Sequence, residues 1–96
     1  MAVAVDIGTM IISSPDIRGG RPRVAGTGVT VMRIAGWHNL GHTPEEIARK
    51  IGLSLAQIHA ALAYYHANRE SVDADLADEA AEYDRLAEQH RLAQSQ

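Results

Sequence analysis

The amino-acid sequence predicts a mostly α-helical protein with a small N-terminal β element, a helix-turn-helix core and a C-terminal amphipathic helix. Two helix-start signals, at residues 43–46 and 54–57, lie close enough to begin consecutive helices. Short runs of β-branched residues, separated by turn signals, lie within the first 31 residues. Apolar residues recur every three or four positions from Val72 to Ala87, among acidic neighbours.

The N-terminal segment predicts two or three short strands. Residues 9–13 are predicted as the first strand, and residues 21–24 as an edge strand, because Pro22 cannot donate a hydrogen bond to a ladder. A tight reversal at residues 26–28 then returns the chain as an extended segment at residues 29–31. Strands this short are marginal on their own. We therefore expect them to pack on the helices or to pair with a second copy of the chain.

The core is predicted to contain three helices. The first spans residues 32–40 and is followed by Gly41, which favours a helix end. The second begins at the capping box TPEE, residues 43–46, with proline at the first helical position, and ends at Gly52. The third begins at the box SLAQ, residues 54–57. Its predicted apolar face consists of Leu55, Ile58, Leu62 and Tyr65.

The C-terminal segment predicts an amphipathic helix with a narrow apolar stripe. Residues 68–71 resemble a joint, and the pattern leaves open whether the helix bends there or continues. Residues 1–69 are therefore predicted to form the β element and the core, and residues 70–96 a partner-binding helix. The stripe consists of Val72, Leu76, Ala80, Tyr83 and Leu86 or Ala87. It exceeds what a small core requires, and such a stripe can dock in the groove of a partner.

The composition excludes several classes of site. The chain has no cysteine, which excludes disulfides, thiolate metal sites and cysteine nucleophiles and fits a reducing compartment. The apolar run Met1–Val5 is interrupted by Asp6, and no basic residue precedes it. It is therefore predicted to be neither a signal peptide nor a transmembrane helix, and a cytoplasmic location is the resulting expectation.

No catalytic or metal-binding pattern is found in the sequence. His38 and His42 are four residues apart, but Gly41 separates them, and no carboxylate accompanies His59 and His66 at a ligand spacing. The serines considered as nucleophiles all lie at predicted turns or helix caps: Ser13, Ser14, Ser54 and Ser71. We therefore predict a binding protein rather than an enzyme, with no metal and no cofactor.

Charge divides the chain into two halves. Residues 1–50 carry six basic and four acidic residues, whereas residues 51–96 carry three basic and eight acidic residues. The predicted DNA-contacting residues are Arg18, Arg21, Arg23 and Gln57, the last being the one side chain of the third helix suited to a bidentate contact with adenine. The third helix has no lysine or arginine, so it offers little attraction to the phosphates of DNA. Arg18, Arg21 and Arg23 are the better candidates for contacts with an anion, but they have an equally weighted alternative role, which is to keep an edge strand soluble.

Together these residues resemble a bacterial family, domain-of-unknown-function family 433. The resemblance is carried by the segments IISSP (11–15), GGRP (19–22), GT (26–27), VTV (29–31), Gly41 to Thr43, EEI (45–47) and IHAALAYY (58–65). It implies a homeodomain-like core and a VapB-type antitoxin role opposite a PIN-like ribonuclease toxin. It also implies a homodimer that binds operator DNA and neutralises the toxin through its C-terminal segment. The chain departs from the commonest pattern at Ala25 and Gly28, where many members carry a basic residue.

Three hypotheses follow. In the first, the chain is an antitoxin whose C-terminal helix binds the toxin through Val72, Leu76, Tyr83, Arg85, Leu86 and Arg91. Deletion of residues 70–96 is then expected to abolish toxin binding while leaving the core folded. In the second, it is a DNA-binding transcriptional regulator without a toxin partner. In the third, it is a structural homodimer whose stripe packs against its own core or its twin.

Overall fold

The computed structural model describes residues 4–94. Residues 1–3, which begin the apolar N-terminal run, and residues 95–96, which end the predicted partner-binding segment, lie outside this range. The elements are β1 (Ile11–Ile12), β2 (Arg23–Val24), α1 (Val31–Asn39), α2 (Pro44–Ile51), α3 (Leu55–Ala67) and α4 (Arg69–Gln94), with 3-10 turns at Ile7–Thr9 and Arg18–Gly20. The predicted fold class, mostly α with a small N-terminal β element, is confirmed.

The β element is smaller than the sequence predicts. Strands β1 and β2 are antiparallel, with Ile11 opposite Val24 and Ile12 opposite Arg23. The predicted third strand at residues 29–31 is reduced to a single bridge between Arg23 and Thr30. The reason is local: the hydroxyl of Thr30 accepts a hydrogen bond of 3.2 Å from the backbone N–H of Arg33, and this cap turns the chain into α1.

Both predicted capping boxes are present. Thr43 Oγ1 accepts a hydrogen bond from the N–H of Glu46, whose carboxylate accepts one from the N–H of Thr43. The same exchange joins Ser54 and Gln57 at the start of α3. Helix α2 ends at Gly52, which has a left-handed φ of 79°. The boxes thus satisfy backbone donors at two consecutive helix starts and define the turn between α2 and α3.

The core lies where α1, α2 and α3 meet under the β element and the start of α4. Its buried side chains are Val24, Val31, Met32, Ile34, Ala35, Ile47, Ile58, Ala61, Leu62, Tyr65 and Val72. Leu55 was predicted on the buried face of α3 but is 42% exposed. As the first residue of α3, it lies in the turn that precedes the part of the helix packed in the core.

Helix α4 begins closer to the core than the sequence indicates. The break is confined to Asn68, which has φ −130° and ψ 39°, and α4 starts at Arg69. Val72 is 1% exposed and Leu76 packs against the core, so the predicted division at residue 70 falls inside the packed region. From Ala77 to Gln94 every residue is exposed, and the protein measures 67 × 29 × 23 Å. No helix within residues 4–94 combines the length and apolarity needed to cross a membrane.

Candidate functional site

Two surfaces stand out. The first is the projecting helix, which we define as residues 77–94 of α4. The second is the arginine cleft, which we define by the side chains of Arg18, Arg21 and Arg33. Each places chemistry-bearing side chains where a second molecule can reach them.

The projecting helix exposes large apolar side chains. Tyr83 is 73% exposed and Leu86 is 51% exposed. A shallow groove beside Tyr83 is lined by Leu76, Glu79, Ala80, Tyr83 and Asp84. A neighbouring groove extends this surface onto α1 and is lined by Met32, Arg33, Gly36, Trp37, Leu40, Leu76 and Glu79. The exposed stripe on α4 and the side of α1 therefore form one partly apolar surface, which has acidic residues along it.

Two of the residues assigned to partner binding are taken up by the core. Val72 is buried, and Leu76 is half-buried against α1. The reason is that α4 starts at Arg69, so its first two turns lie beside the core instead of beyond it. Val72 is therefore a core residue and is not available to a partner. Tyr83 and Leu86 remain on the accessible part of the predicted stripe.

The two predicted partner-binding arginines form ion pairs within α4. The Nε of Arg85 donates to Glu82, and the Nε of Arg91 donates to Glu88, each at 3.1 Å. The hydrogen bond from Arg85 lowers the pKa of the Glu82 carboxyl and raises the pKa of the guanidinium. To pair with an acidic residue of a partner, either arginine would first have to break its ion pair with the glutamate on α4.

The arginine cleft collects three guanidinium groups from segments that are separate in sequence. Arg18 and Arg21 come from the turn between the strands, and Arg33 comes from the first turn of α1. The cleft has a volume of about 270 Å³ and is lined by Arg18, Arg21, Gly28, Thr30, Met32, Arg33 and Glu79. Nε of Arg21 lies 3.8 Å from Oδ1 of Asp75, on α4. The cleft therefore lies between the β element, α1 and α4.

Arg18 has an unusual backbone conformation in this cleft. Its φ is 53°, the one left-handed non-glycine residue within residues 4–94. For an L-residue this conformation costs about 1 to 2 kcal/mol. Its Nε donates a hydrogen bond of 3.1 Å to the carbonyl of Gly28, and a Cβ on Gly28 would lie 3.1 Å from Nη2 of Arg18. The strained backbone and the glycine together determine where this guanidinium lies.

Arg33 was not identified from the sequence. It lies three residues after the Thr30 cap, within the positive end of the α1 dipole, where a cation is disfavoured. A basic residue at such a position is a weak signal that its side chain serves another purpose. Its sequence separation from Arg18 and Arg21 hides the cluster until the chain is folded.

Arg23, assigned to DNA from its place on the edge strand, lies in the core instead. It is 7% exposed, and its Nη2 donates to the hydroxyl of Ser14 at 3.2 Å, while Nε and Nη1 are buried without a hydrogen-bond partner. The reason is its place in the β element: Arg23 begins β2 and is paired with Ile12 on one side and with Thr30 on the other, whereas Arg21 lies before the strand and lines the cleft.

Gln57 is committed to its own helix. Its Oε1 accepts a hydrogen bond of 2.8 Å from the N–H of Ser54, as part of the capping box. A bidentate contact with adenine needs that oxygen as well as the amide nitrogen, so the cap and the contact compete. Gln57 also does not line the cleft in which Arg18 and Arg21 lie.

Three of the five histidines, His38, His42 and His66, make ring contacts with aromatic side chains. The rings of His38 and His66 lie edge to face with centroids 5.7 Å apart, a pairing that sequence spacing did not indicate. Across the described part of the chain, no three histidine or acidic side chains are grouped so as to hold a metal ion.

Comparison with known proteins gives one family and one similar structure. A family model described as "Protein of unknown function (DUF433)" matches residues 11–65. The chain is similar to a DUF433 member protein from Anabaena variabilis ATCC 29413, known from a crystal structure, with 27% sequence identity and a TM-score of 0.67. The similarity covers 72% of this chain and 69% of that chain. No curated protein matches the chain.

Proposed function

The chain belongs to the DUF433 family, and we propose that it is an antitoxin whose projecting helix binds and neutralises a PIN-like ribonuclease toxin. The resemblance in sequence motivates the identity of the partner, and the exposure of α4 motivates the binding mode. The proposal assigns the chain a cytoplasmic location and no catalytic activity of its own.

The projecting helix is the observation that carries this proposal. Residues 77–94 form regular helix, yet each of them is exposed. Most of the stability of helices in proteins comes from tertiary packing of an apolar face, which this segment lacks. Exposed Tyr83 and Leu86 supply apolar area that a partner's groove can cover. A helix that gains no support from its own core is well suited to a partner that supplies it.

The charge of the projecting helix favours a basic partner surface. It carries five carboxylates, on Asp78, Glu79, Glu82, Asp84 and Glu88, against the two arginines Arg85 and Arg91. An RNA-cleaving enzyme presents positive charge to the phosphate backbone. An acidic helix laid across that surface would compete with RNA directly. Neutralisation would then follow from occupation of the RNA-binding groove.

The test uses a truncation designed from the structure. Deletion from residue 70 would remove buried Val72, so loss of binding could reflect an unfolded core. Deletion of residues 82–96 instead keeps Val72 and Leu76 and leaves more than one helical turn beyond Leu76. Tagged full-length and truncated chains are each purified from the native host, and captured proteins are identified by mass spectrometry. Captured ribonuclease is then assayed on RNA with and without added chain.

We expect the full chain to capture a PIN-like ribonuclease and inhibit RNA cleavage, and the truncated chain to do neither. The double variant Tyr83→Ala/Leu86→Ala should weaken inhibition, because it removes the exposed anchors. Leu55→Ala is the matched control, since it also removes an exposed leucine from a helix of the folded core. Undiminished inhibition by the truncated chain, or equal loss in the control, would contradict the proposal.

We also propose that the chain forms a homodimer and binds operator DNA, two activities that are separate from toxin binding. Helix α3 carries no lysine or arginine, and Gln57 is engaged in its cap. Operator recognition through α3 therefore has little support from phosphate attraction, which supplies most of the affinity for DNA. Toxin neutralisation does not depend on it.

A further inference from the structure

We propose that the arginine cleft is a binding site for a phosphodiester group, a function that does not depend on toxin binding through Tyr83 and Leu86. The site is formed by Arg18, Arg21 and Arg33, with Thr30 and Gly28 in its lining. Guanidinium groups present forked N–H donors that match the oxygens of a phosphate group.

The first argument is convergence. Three arginines from two segments line one cleft of about 270 Å³, although like charges repel each other. Arg33 also lies at the positive end of the α1 dipole, where electrostatics disfavour it. An anion in the cleft would relieve both repulsions. It would also interact favourably with the N-terminus of α1.

The second argument is the strained backbone of Arg18. Glycine and asparagine adopt a φ of 53° most readily, so an arginine at this position indicates that its side chain contributes something that glycine or asparagine would not. Strained residues that the fold retains concentrate at binding sites. Here the hydrogen bond from Nε to Gly28 holds the guanidinium at the cleft and leaves its Nη groups available to a ligand.

The third argument concerns the charge of the ligand. Two carboxylates lie beside the three guanidinium groups: Asp75, near Arg21, and Glu79, in the cleft lining. The local sum is one positive unit, which a singly charged phosphodiester neutralises and a doubly charged phosphate monoester exceeds. A carboxylate has the same charge, but its two oxygens accept hydrogen bonds mainly in one plane, whereas the two non-bridging oxygens of a tetrahedral phosphodiester accept them from several directions, as guanidinium groups from two segments require. The geometry therefore favours a phosphodiester.

The test is an NMR titration of the full ¹⁵N-labelled chain with dimethyl phosphate at constant ionic strength. We expect saturable shifts of the backbone amides of Gly28, Thr30 and Arg33. Arg33→Ala and Arg18→Ala should each weaken binding about tenfold, the scale of one charge-assisted hydrogen bond. Arg49→Ala, which removes an exposed arginine from α2, is the matched control and should bind like the natural chain.

Two further variants separate a formed site from general positive charge. Gly28→Ala keeps all three arginines, but its Cβ would lie 3.1 Å from Nη2 of Arg18 and displace it, so binding should weaken. Glu79→Gln removes a negative charge from the lining and should strengthen binding about threefold. Glu70→Gln, an exposed residue of α4 outside the lining, is its control and should leave affinity unchanged.

A parallel titration with duplex DNA identifies the source of the phosphodiester. Shifts of the same amides at lower concentration than with dimethyl phosphate would assign the site to a nucleic-acid backbone. Equal or absent shifts with the duplex, alongside saturable binding of dimethyl phosphate, would assign it to a small phosphodiester. Shifts that rise linearly with dimethyl phosphate, or equal binding by Arg33→Ala and Arg49→Ala, would overturn the proposal.

Discussion

The hydroxyl of Tyr65 donates a hydrogen bond of 2.7 Å to Oδ1 of Asp73 and thereby joins α3 to α4 across the break at Asn68. Tyr65 is 1% exposed, and its oxygen also accepts a hydrogen bond of 3.2 Å from the side-chain amide of Asn39, on α1. One hydroxyl therefore connects three helices. Together with buried Val72 at the start of α4, it holds the first turns of α4 against the core, from which the projecting helix extends.

Replacing Tyr65 by phenylalanine should lower the free energy of unfolding by about 1 to 2 kcal/mol, because the ring stays buried while the hydrogen bonds are lost. Urea denaturation followed by circular dichroism measures this change. Tyr64→Phe is the matched control: Tyr64 is half-buried on the same helix, and its hydroxyl makes no hydrogen bond within residues 4–94. Similar destabilisation by both variants would show that the Tyr65–Asp73 bond does not fix α4.

Two truncations should differ sharply in stability. Ending the chain at Asn68 removes buried Val72 together with Asp73, the hydrogen-bond partner of Tyr65, and should cost at least about 1.5 to 3 kcal/mol. Ending it at Ala81 removes residues 82–94, all of which are exposed, along with the last two residues, and should change the free energy of unfolding by less than about 0.5 kcal/mol. Denaturant unfolding of the two proteins compares them. Equal stability would mean that α4 contributes nothing to the core.

Replacing Arg23 by methionine should leave the free energy of unfolding unchanged or raise it by about 1 kcal/mol or more. Burial of a guanidinium without a counter-ion is costly, and methionine fills a similar length without a charge. The variant removes the cost of desolvating Nε and Nη1 of Arg23, which are buried without a hydrogen-bond partner. Thermal unfolding measures the effect, with Arg49→Met, at an exposed position of α2, as the control. A loss of more than about 1 kcal/mol in Arg23→Met alone would show that its burial is compensated.

The capping box of α2 should make stability depend on pH in the acid range. The hydrogen bond from the Thr43 N–H lowers the pKa of Glu46 below its ordinary 4.5. Because the folded-state pKa is the lower one, the stabilisation is complete above pH 4.5 and is lost as the pH falls through the folded value. Glu46→Gln keeps a carbonyl acceptor for the bond but does not titrate.

The difference in Tm between the natural chain and Glu46→Gln should therefore be constant near neutral pH and shift against the natural chain in acid. Thermal unfolding across the acid range follows it. A difference that stays the same down to pH values well below 4.5 would contradict a charged Glu46 in this cap.

The outcome at the individual elements shows what local sequence signals can and cannot predict. The starts of α2 and α3 were predictable because each depends on a hydroxyl and an acceptor three residues apart, as in Thr43 and Glu46. The end of α2 depends only on Gly52. The strands near Ile11 and Val24 were predictable from the sequence, but their pairing with each other was not, and the cap at Thr30 ends the extended segment that was predicted as a third strand.

The sequence by itself therefore determined the helical class, the helix starts and the presence of an acidic amphipathic C-terminal helix, since these depend on residues within one or two turns of each other. Only the tertiary structure decided that Val72 is buried and Tyr83 exposed, because the stripe is continuous and the core covers only its first two turns. It also decided that Arg23 points inward while Arg33 joins Arg18 and Arg21. Which charged side chains share a cleft depends on packing between distant segments, which no local spacing encodes.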